Sequence, residues 1–244
     1  MRENEIRFFR ALSEAVGADH LRSKCLGTKV SSRDVFLDRN IEEYSFPSDV
    51  IHLLVELQKI LRCTGSPGVG SLAHHIDGFF DDHPLYGTRI VEFDEEQHFS
   101  TCRIVALKIL SKLWKDDYLP QYNEQYGRIE CFNRMLQKHR LKTSVDFVPG
   151  TIDDFFELVR AHAKPNNGSV KAKIGFDFIG GRVAQRAYYD SLRDIAHLSP
   201  KNSRLKRPFR CSMFELEAEA GMRFVSISQS DLQGMIQDRL AMLC

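Results

Sequence analysis

No apolar run in this chain approaches the eighteen or so residues that a membrane-crossing helix needs, so no membrane partner is expected. Residues 1–6, Met1 to Ile6, lack the apolar core of a secretory signal. The chain is therefore expected in the cytoplasm or a similarly reducing compartment. Cysteine is sparse and scattered: Cys25, Cys63, Cys102, Cys131, Cys211 and Cys244 lie too far apart for a zinc knuckle or a thioredoxin-like pair, and free thiols are expected. Internal repeats and low-complexity tracts are missing too, which sets aside solenoids and disordered tails. Net charge is only +1, so the chain is no polycation as a whole. What it does hold is 244 residues, 43% of them apolar, enough for one large domain or two small ones.

The small net charge hides an asymmetry. Between Asp77 and Glu96 stand Asp77, Asp81, Asp82, Glu92, Asp94, Glu95 and Glu96 against Arg89 alone. Between Lys171 and Arg210 the balance reverses, with Lys and Arg far outnumbering Asp177, Asp190 and Asp194. An acidic knot and a basic stretch in one chain suit an enzyme that holds cations in one place and a polyanion nearby. Two solvated faces that neutralise each other are the other reading of the same pattern.

Periodicity predicts mixed secondary structure. Helices are expected over Glu3 to Val16, from Ser48 or Asp49 to about Cys63 with an apolar stripe of Val50, Leu53, Leu57, Ile60 and Leu61, and over Ser100 to about Lys115. Others are expected over Glu124 to Arg140, from Thr151 to just before Lys164, and over Arg182 to His197. A last helix opens on a capping-box pattern at Ser230 to Gln233. Leu72 to Phe80 and Thr88 to Phe93 read as a hairpin joined through Pro84 and Gly87, Lys171 to Phe178 and Met222 to Ser228 as strands, and Pro200 to Arg210 as a basic loop. The expected fold class is α/β (α+β mixed), a central mixed sheet flanked by helices, in one domain spanning 1–244. Its core would be about 48–112 and 171–244, with a mostly helical insertion over about 113–170.

The informative segment is Thr88 to His98, TRIVEFDEEQH. In a strand, residues two apart point the same way, so Glu92 and Asp94 share one face, with Val91 and Phe93 on the opposite, core-facing side. A hairpin of this length brings Asp77 beside Glu92. Converging carboxylates are costly unless neutralised, and an oxygen-rich cluster suits Mg²⁺ or Mn²⁺. The alternative is a solvated face whose acids pair with Arg89 or Arg103. His74 and His75 offer a further, weaker metal pattern.

Asp77 followed by Glu92-Phe93-Asp94 resembles the PD-(D/E)xK nuclease signature, an acid on one strand and an acid-x-acid or acid-x-Lys on the next. Ile90 to Phe99 is most similar to its restriction-endonuclease-like and very-short-patch-repair-like branch. Ile76 to Phe79 resembles that branch's first motif, and Gly221 to Ser228 with the helix after it resembles the last strand and helix of its core. The resemblance covers roughly 48–112 and 182–244. It departs from the pattern at Asp94, where the signature has Lys, and at Glu95, where the branch often has Gly; Lys108 and Lys173 are the candidates to supply the missing charge.

The resemblance implies a restriction-endonuclease-like sheet and an Mg²⁺- or Mn²⁺-dependent endonuclease hydrolysing DNA. Asp77 and Glu92 would bind the metal, and Asp94 would bind it or orient the attacking water. Gln97 and His98 would stand near the scissile phosphate, and Glu56 would be an additional acid. Arg182, Arg186 and Arg193, at helical spacing, and Lys201, Arg204, Lys206, Arg207 and Arg210 would neutralise backbone phosphates. Tyr188 and Tyr189 are expected to pack. A homodimer is expected if the target is palindromic. A nuclease for RNA or structured DNA, or a non-catalytic nucleic-acid-binding protein on the same fold, remain the alternatives.

Overall fold

A computed structural model describes residues 3–28, 30, 46–64, 76–114, 122, 124–141, 143–163 and 175–243. Its chain folds as two compact units. The first comprises Met1–Leu37, Ser71–Asp94 and Arg193–Cys244, the second Asp38–Gly70 and Glu95–Leu192. Among the described residues no helix is long and apolar enough to cross a membrane.

The first unit is built around a four-stranded mixed sheet, in the order β1 (Leu21–Ser23), β2 (Gly78–His83), β3 (Gly87–Asp94), β4 (Leu205–Ser212). The first three strands run antiparallel to their neighbours, with Leu21 opposite Phe80 and Gly78 opposite Val91. Strand β4 runs parallel to β3, matching Glu92 with Arg210 and Asp94 with Ser212. A parallel pair cannot be joined by a tight turn, and the long stretch between Asp94 and Leu205 makes the crossover.

Both faces of β3 are buried. On one, Phe93 stacks on Phe8 at 4.5 Å between ring centres and meets Phe224 at 5.2 Å. On the other, Ile90 packs with Ile76, Phe79, Ala196 and Leu205. Helix α1 (Glu3–Val16) begins with Glu3 and Glu5, which suit the positive helix N-terminus, and buries Phe8, Phe9, Ala11 and Leu12. It packs along the final helix, and Arg7 donates to the carbonyls of Phe224 and Ile227. Gly78 has a local reason to be glycine. A Cβ there would stand 2.3 Å from the Phe9 ring, so the hairpin closes onto α1 only without a side chain next to Asp77.

The second unit is helical in its described residues: α2 (Ser48–Ile60), α3 (Thr101–Leu110), α4 (Ile129–Lys138), α5 (Ile152–His162) and most of α6 (Gly181–Ile195), whose last turn belongs to the first unit. Ser100 and Thr151 cap their helices by accepting the N–H groups of Arg103 and Asp154. Edge-on and tilted ring contacts link Tyr126, Phe132, Phe155, Phe156 and Phe178 through its core. The described helices within 113–170, α4 and α5, belong to this unit together with α2 and α3.

Three expected segments differ. Pro200 to Arg210, read as a loop, contains the start of β4; its density of Lys and Arg masks the alternation of Leu205, Phe209 and Cys211. Pro208 is tolerated because the register shifts between Arg89 and Val91, and a bulge spares the ladder an N–H that proline lacks. Met222 to Ser228, read as a strand, is a connector with a single 3₁₀ turn at Phe224–Ser226, and only Phe224 and Ile227 are buried. Of the strand expected over Lys171 to Phe178, 171–174 lie outside the described residues. The rest is irregular, with Gly175 at φ 81°.

Strand β4 runs into α7 (Met213–Ala220), which ends at Gly221 in the left-handed conformation. The last helix, α8 (Gln229–Ala241), is capped by Ser228 accepting from Asp231, two residues before the expected cap.

Candidate functional site

Asp77, Glu92 and Asp94 all belong to the first unit. Asp77 precedes β2, and the register that sets Gly78 against Val91 carries it alongside Glu92. Its carboxylate accepts the backbone N–H of Phe93 at 3.1 Å, while its own carbonyl accepts from the Ser23 hydroxyl at 2.8 Å. Asp77 is half-buried. Glu92 and Asp94 share the Ile90 face of β3, as alternation requires, and are 1% and 0% exposed.

Burial of two carboxylates demands partners, and these come from two arginines. Arg193, in the last turn of α6, sets Nε 3.0 Å from Glu92 Oε2. Arg210, on β4, sets Nη1 2.6 Å from Asp94 Oδ1 and Nε 2.5 Å from Asp194 Oδ1. The acid face is therefore covered rather than solvated, and Arg89, a partner in the alternative reading, donates its Nη1 to the Arg207 carbonyl at 2.8 Å. Arg193 and Arg210, expected on nucleic-acid phosphates, are buried in ion pairs. That correction follows from strand pairing and helix facing, which basic content alone does not reveal.

Hard carboxylate oxygens on adjacent strands are the donor type that a divalent cation takes. Their arrangement, however, is that of an arginine-paired set. Among the described residues no group of three or more His, Cys, Asp or Glu side chains is arranged to hold a metal ion.

Glu215 is an acid that the sequence reading did not single out. It lies in the first turn of α7, where its N–H is capped by Ser212, the residue paired with Asp94. Burial pushes its carboxyl up to about 7, against the pull of Arg239 and with the help of the Asp94 charge. A folded state that holds this proton more tightly than the unfolded chain gains stability below pH 4.5, and loses that gain as the pH rises toward 7. Glu215→Gln removes the effect. Its stability relative to wild type is expected to rise by about 3 kcal/mol between pH 4.5 and pH 8, measured by urea unfolding. A difference that does not change with pH contradicts this assignment.

Gln97, His98 and Glu56 belong to the second unit. His98 Nδ1 lies 2.8 Å from Asp190 Oδ2, both buried, and its Nε2 lies 3.3 Å from Arg186 Nη1. Because arginine only donates, Nε2 accepts and the Nδ1 proton goes to Asp190. The pair fastens the 3₁₀ turn Glu96–His98 to α6. Asp190→Asn is expected to cost about 1.5–3 kcal/mol in a thermal or urea melt, the range for a buried hydrogen bond to a charged group. A loss below a few tenths counts against the pair.

Burial, aided by the charges of Arg186 and Arg182, pushes His139 down to about 4. Gln97 donates to Glu95 at 3.5 Å. Glu56 pairs with Lys112 at 3.1 Å on a largely exposed helix face, the geometry of an ordinary surface pair.

The remaining basic residues divide by exposure. Lys201, Arg204 and Lys206 are exposed, Arg204 lying 3.4 Å from Asp82. Arg207 is half-buried, and Arg182 donates to Gln185 at 2.8 Å. Tyr188 and Tyr189 are buried, as expected of packing residues. Lys108 is exposed on α3, whereas Lys173, His74 and His75 lie outside the described residues.

Sequence reading missed Asp190, Asp194 and Glu215. The first two had a signal: they stand four apart on the helix that carries Arg186 and Arg193, so its acids and its bases had to be read together. Compared with models of protein families, with curated protein sequences and with solved structures, the chain finds no match in any of the three.

Proposed function

We propose that this chain is a divalent-metal-dependent endonuclease that hydrolyses DNA phosphodiester bonds, restriction-like or repair-like in kind. The observation that carries the reading is the sheet. An acid ahead of β2 lies alongside the first acid of a buried acid-x-acid pair on β3, and a parallel β4 ends beside the second. That arrangement accords with the restriction-endonuclease-like core that the resemblance implies. On this reading Asp77, Glu92 and Asp94 would be the ligands of Mg²⁺ or Mn²⁺, with Glu92 and Asp94 released from their arginine partners.

The ion, when bound, supplies a bound water of lowered pKa and a counter-charge for the phosphate under attack. The chain's own part is to orient. The Phe93 N–H fixes Asp77, β3 aligns Glu92 and Asp94, and burial strengthens each interaction by excluding water. Lys201, Arg204 and Lys206, exposed on edge strand β4 and the turn before it, suit a salt-dependent grip on a phosphate backbone.

The arginine pairs favour one second reading, a nucleic-acid-binding protein of this fold that does not cut, its acids permanently neutralised by Arg193 and Arg210. Supercoiled plasmid incubated with the protein and Mg²⁺, against an EDTA control, separates the two. Cutting that needs the metal is the expected result. Binding without cutting at any divalent cation tested favours the second reading. Discrete fragments would point to a sequence-specific enzyme, and a smear to a non-specific one.

A further inference from the structure

Leu85 stands at the tip of the turn between β2 and β3 and is 66% exposed. A lone exposed leucine is ordinary on a protein surface, so its setting decides what it means. Here the turn is held firmly. The buried ring of His83 accepts the backbone N–H groups of Leu85 and Tyr86 on Nδ1, at 3.1 and 3.2 Å. Its Nε2 lies 3.2 Å from the Val16 carbonyl, to which it donates. The same ring stacks on Tyr86 at 4.5 Å, and the Tyr86 carbonyl accepts Arg89 Nε at 2.6 Å. These contacts fix the backbone around Leu85 while its side chain faces water, so little chain entropy is left to lose when it meets a partner.

Two cations flank the turn. Lys206 crosses its foot: a Cβ built on Gly87 would meet Lys206 Cε at 2.9 Å and Nζ at 3.3 Å. Arg204 lies 3.4 Å from Asp82, on the strand entering the turn, and the two side chains are 77% and 75% exposed. An ion pair so exposed is worth little, and a phosphate can take the place of Asp82. An apolar tip between exposed cations is a combination that opens a base step, the wedge unstacking the bases while the cations hold the backbone.

We propose that Leu85 is a DNA wedge, inserted between adjacent base pairs of a duplex whose phosphates Arg204 and Lys206 hold. The inference rests on the reading of DNA as the partner and needs no metal. From Leu85 to Glu92 the chain runs roughly 20 Å at the rise of a strand. The kink therefore falls on the order of six base pairs from the candidate acids. It acts on the shape of the duplex, away from the bond to be cut.

The test is unwinding of closed-circular plasmid. Protein and relaxed plasmid are incubated in EDTA with a metal-independent topoisomerase, and the change in linking number is read at DNA occupancies matched by fluorescence anisotropy. Wild type should change the linking number. Leu85→Asn and Leu85→Ala should lose most of that change, whereas Leu85→Met, apolar and similar in volume, should keep it. All three lie on the surface and should melt as the wild type does. Arg204→Ala and Lys206→Ala should each weaken binding and reduce its salt slope by about 1. Wild-type protein that binds without changing the linking number, or a change that Leu85→Asn retains in full, overturns the wedge and leaves DNA as the partner. Protein that binds no duplex defeats the wedge and the nuclease reading together. Protein that binds and unwinds but does not cut with Mg²⁺ keeps the wedge and defeats only the nuclease.

Discussion

Asp77→Asn is expected to lower metal-dependent DNA cleavage more than about 100-fold, since even residues that only support a metal's ligands are worth 10- to 100-fold. This substitution is the cleanest of the three acids for a physical reason. Asparagine keeps a side-chain oxygen to accept the Phe93 N–H, so the local strand geometry survives while the charge is lost. Replacing Glu92 or Asp94 also removes the partner of a buried arginine and confounds activity with stability. On the nuclease proposal, DNA binding by the variant, followed by fluorescence anisotropy, should stay near wild type and fall with salt, because exposed lysines and arginines would carry it. Cleavage at the parental rate would remove Asp77 from the site.

The second large effect concerns folding. Arg193→Met should destabilise the protein by about 3–5 kcal/mol, because it leaves Glu92 buried without that partner, and a typical fold has only ~5–15 kcal/mol in reserve. Replacing both members, Arg193→Met with Glu92→Leu, should recover at least half of the loss, since exchanging a whole buried ion pair for apolar groups is often neutral. Urea unfolding of the two single variants and the double variant measures this directly. An arginine that only touched phosphate from the surface would move stability by less than about 0.5 kcal/mol, and that result would return Arg193 to the nucleic-acid face.

Much of the architecture could be read before any coordinates. Helix α1 has the bounds that its periodicity predicts, and a hairpin turns at Pro84 as expected. Its first strand is Gly78–His83, however, running through Asp81 and Asp82, which the sequence reading leaves in the turn, and 72–75 of the expected strand lie outside the described residues. Cap residues Ser100 and Thr151 are also where local chemistry puts them. Each is a local property, decided by a few neighbouring residues. Strand β4 was not local. Lysine and arginine at Lys206, Arg207 and Arg210 look like a solvated loop until β3 lies alongside and gives Arg210 a partner of opposite charge.

The acids show the same limit. Alternation correctly sets Glu92 and Asp94 on one face, but it cannot tell whether that face meets water or another layer. Here it is covered, and β3 is buried on both sides as central strands beside a parallel neighbour are. The partners of that face come from residues about 100 positions later, Arg193 and Arg210, the second of them also bonded to Asp194. Charge runs taken segment by segment assign the two arginines to DNA and pass over Asp194, which bonds Arg210.

The most direct test of the central claim is a crystal of the protein soaked in Mn²⁺ and measured for anomalous scattering. One peak coordinated by Asp77, Glu92 and Asp94 is the outcome expected of the nuclease reading. A soak that leaves these acids without an ion, or puts the ion elsewhere, contradicts it.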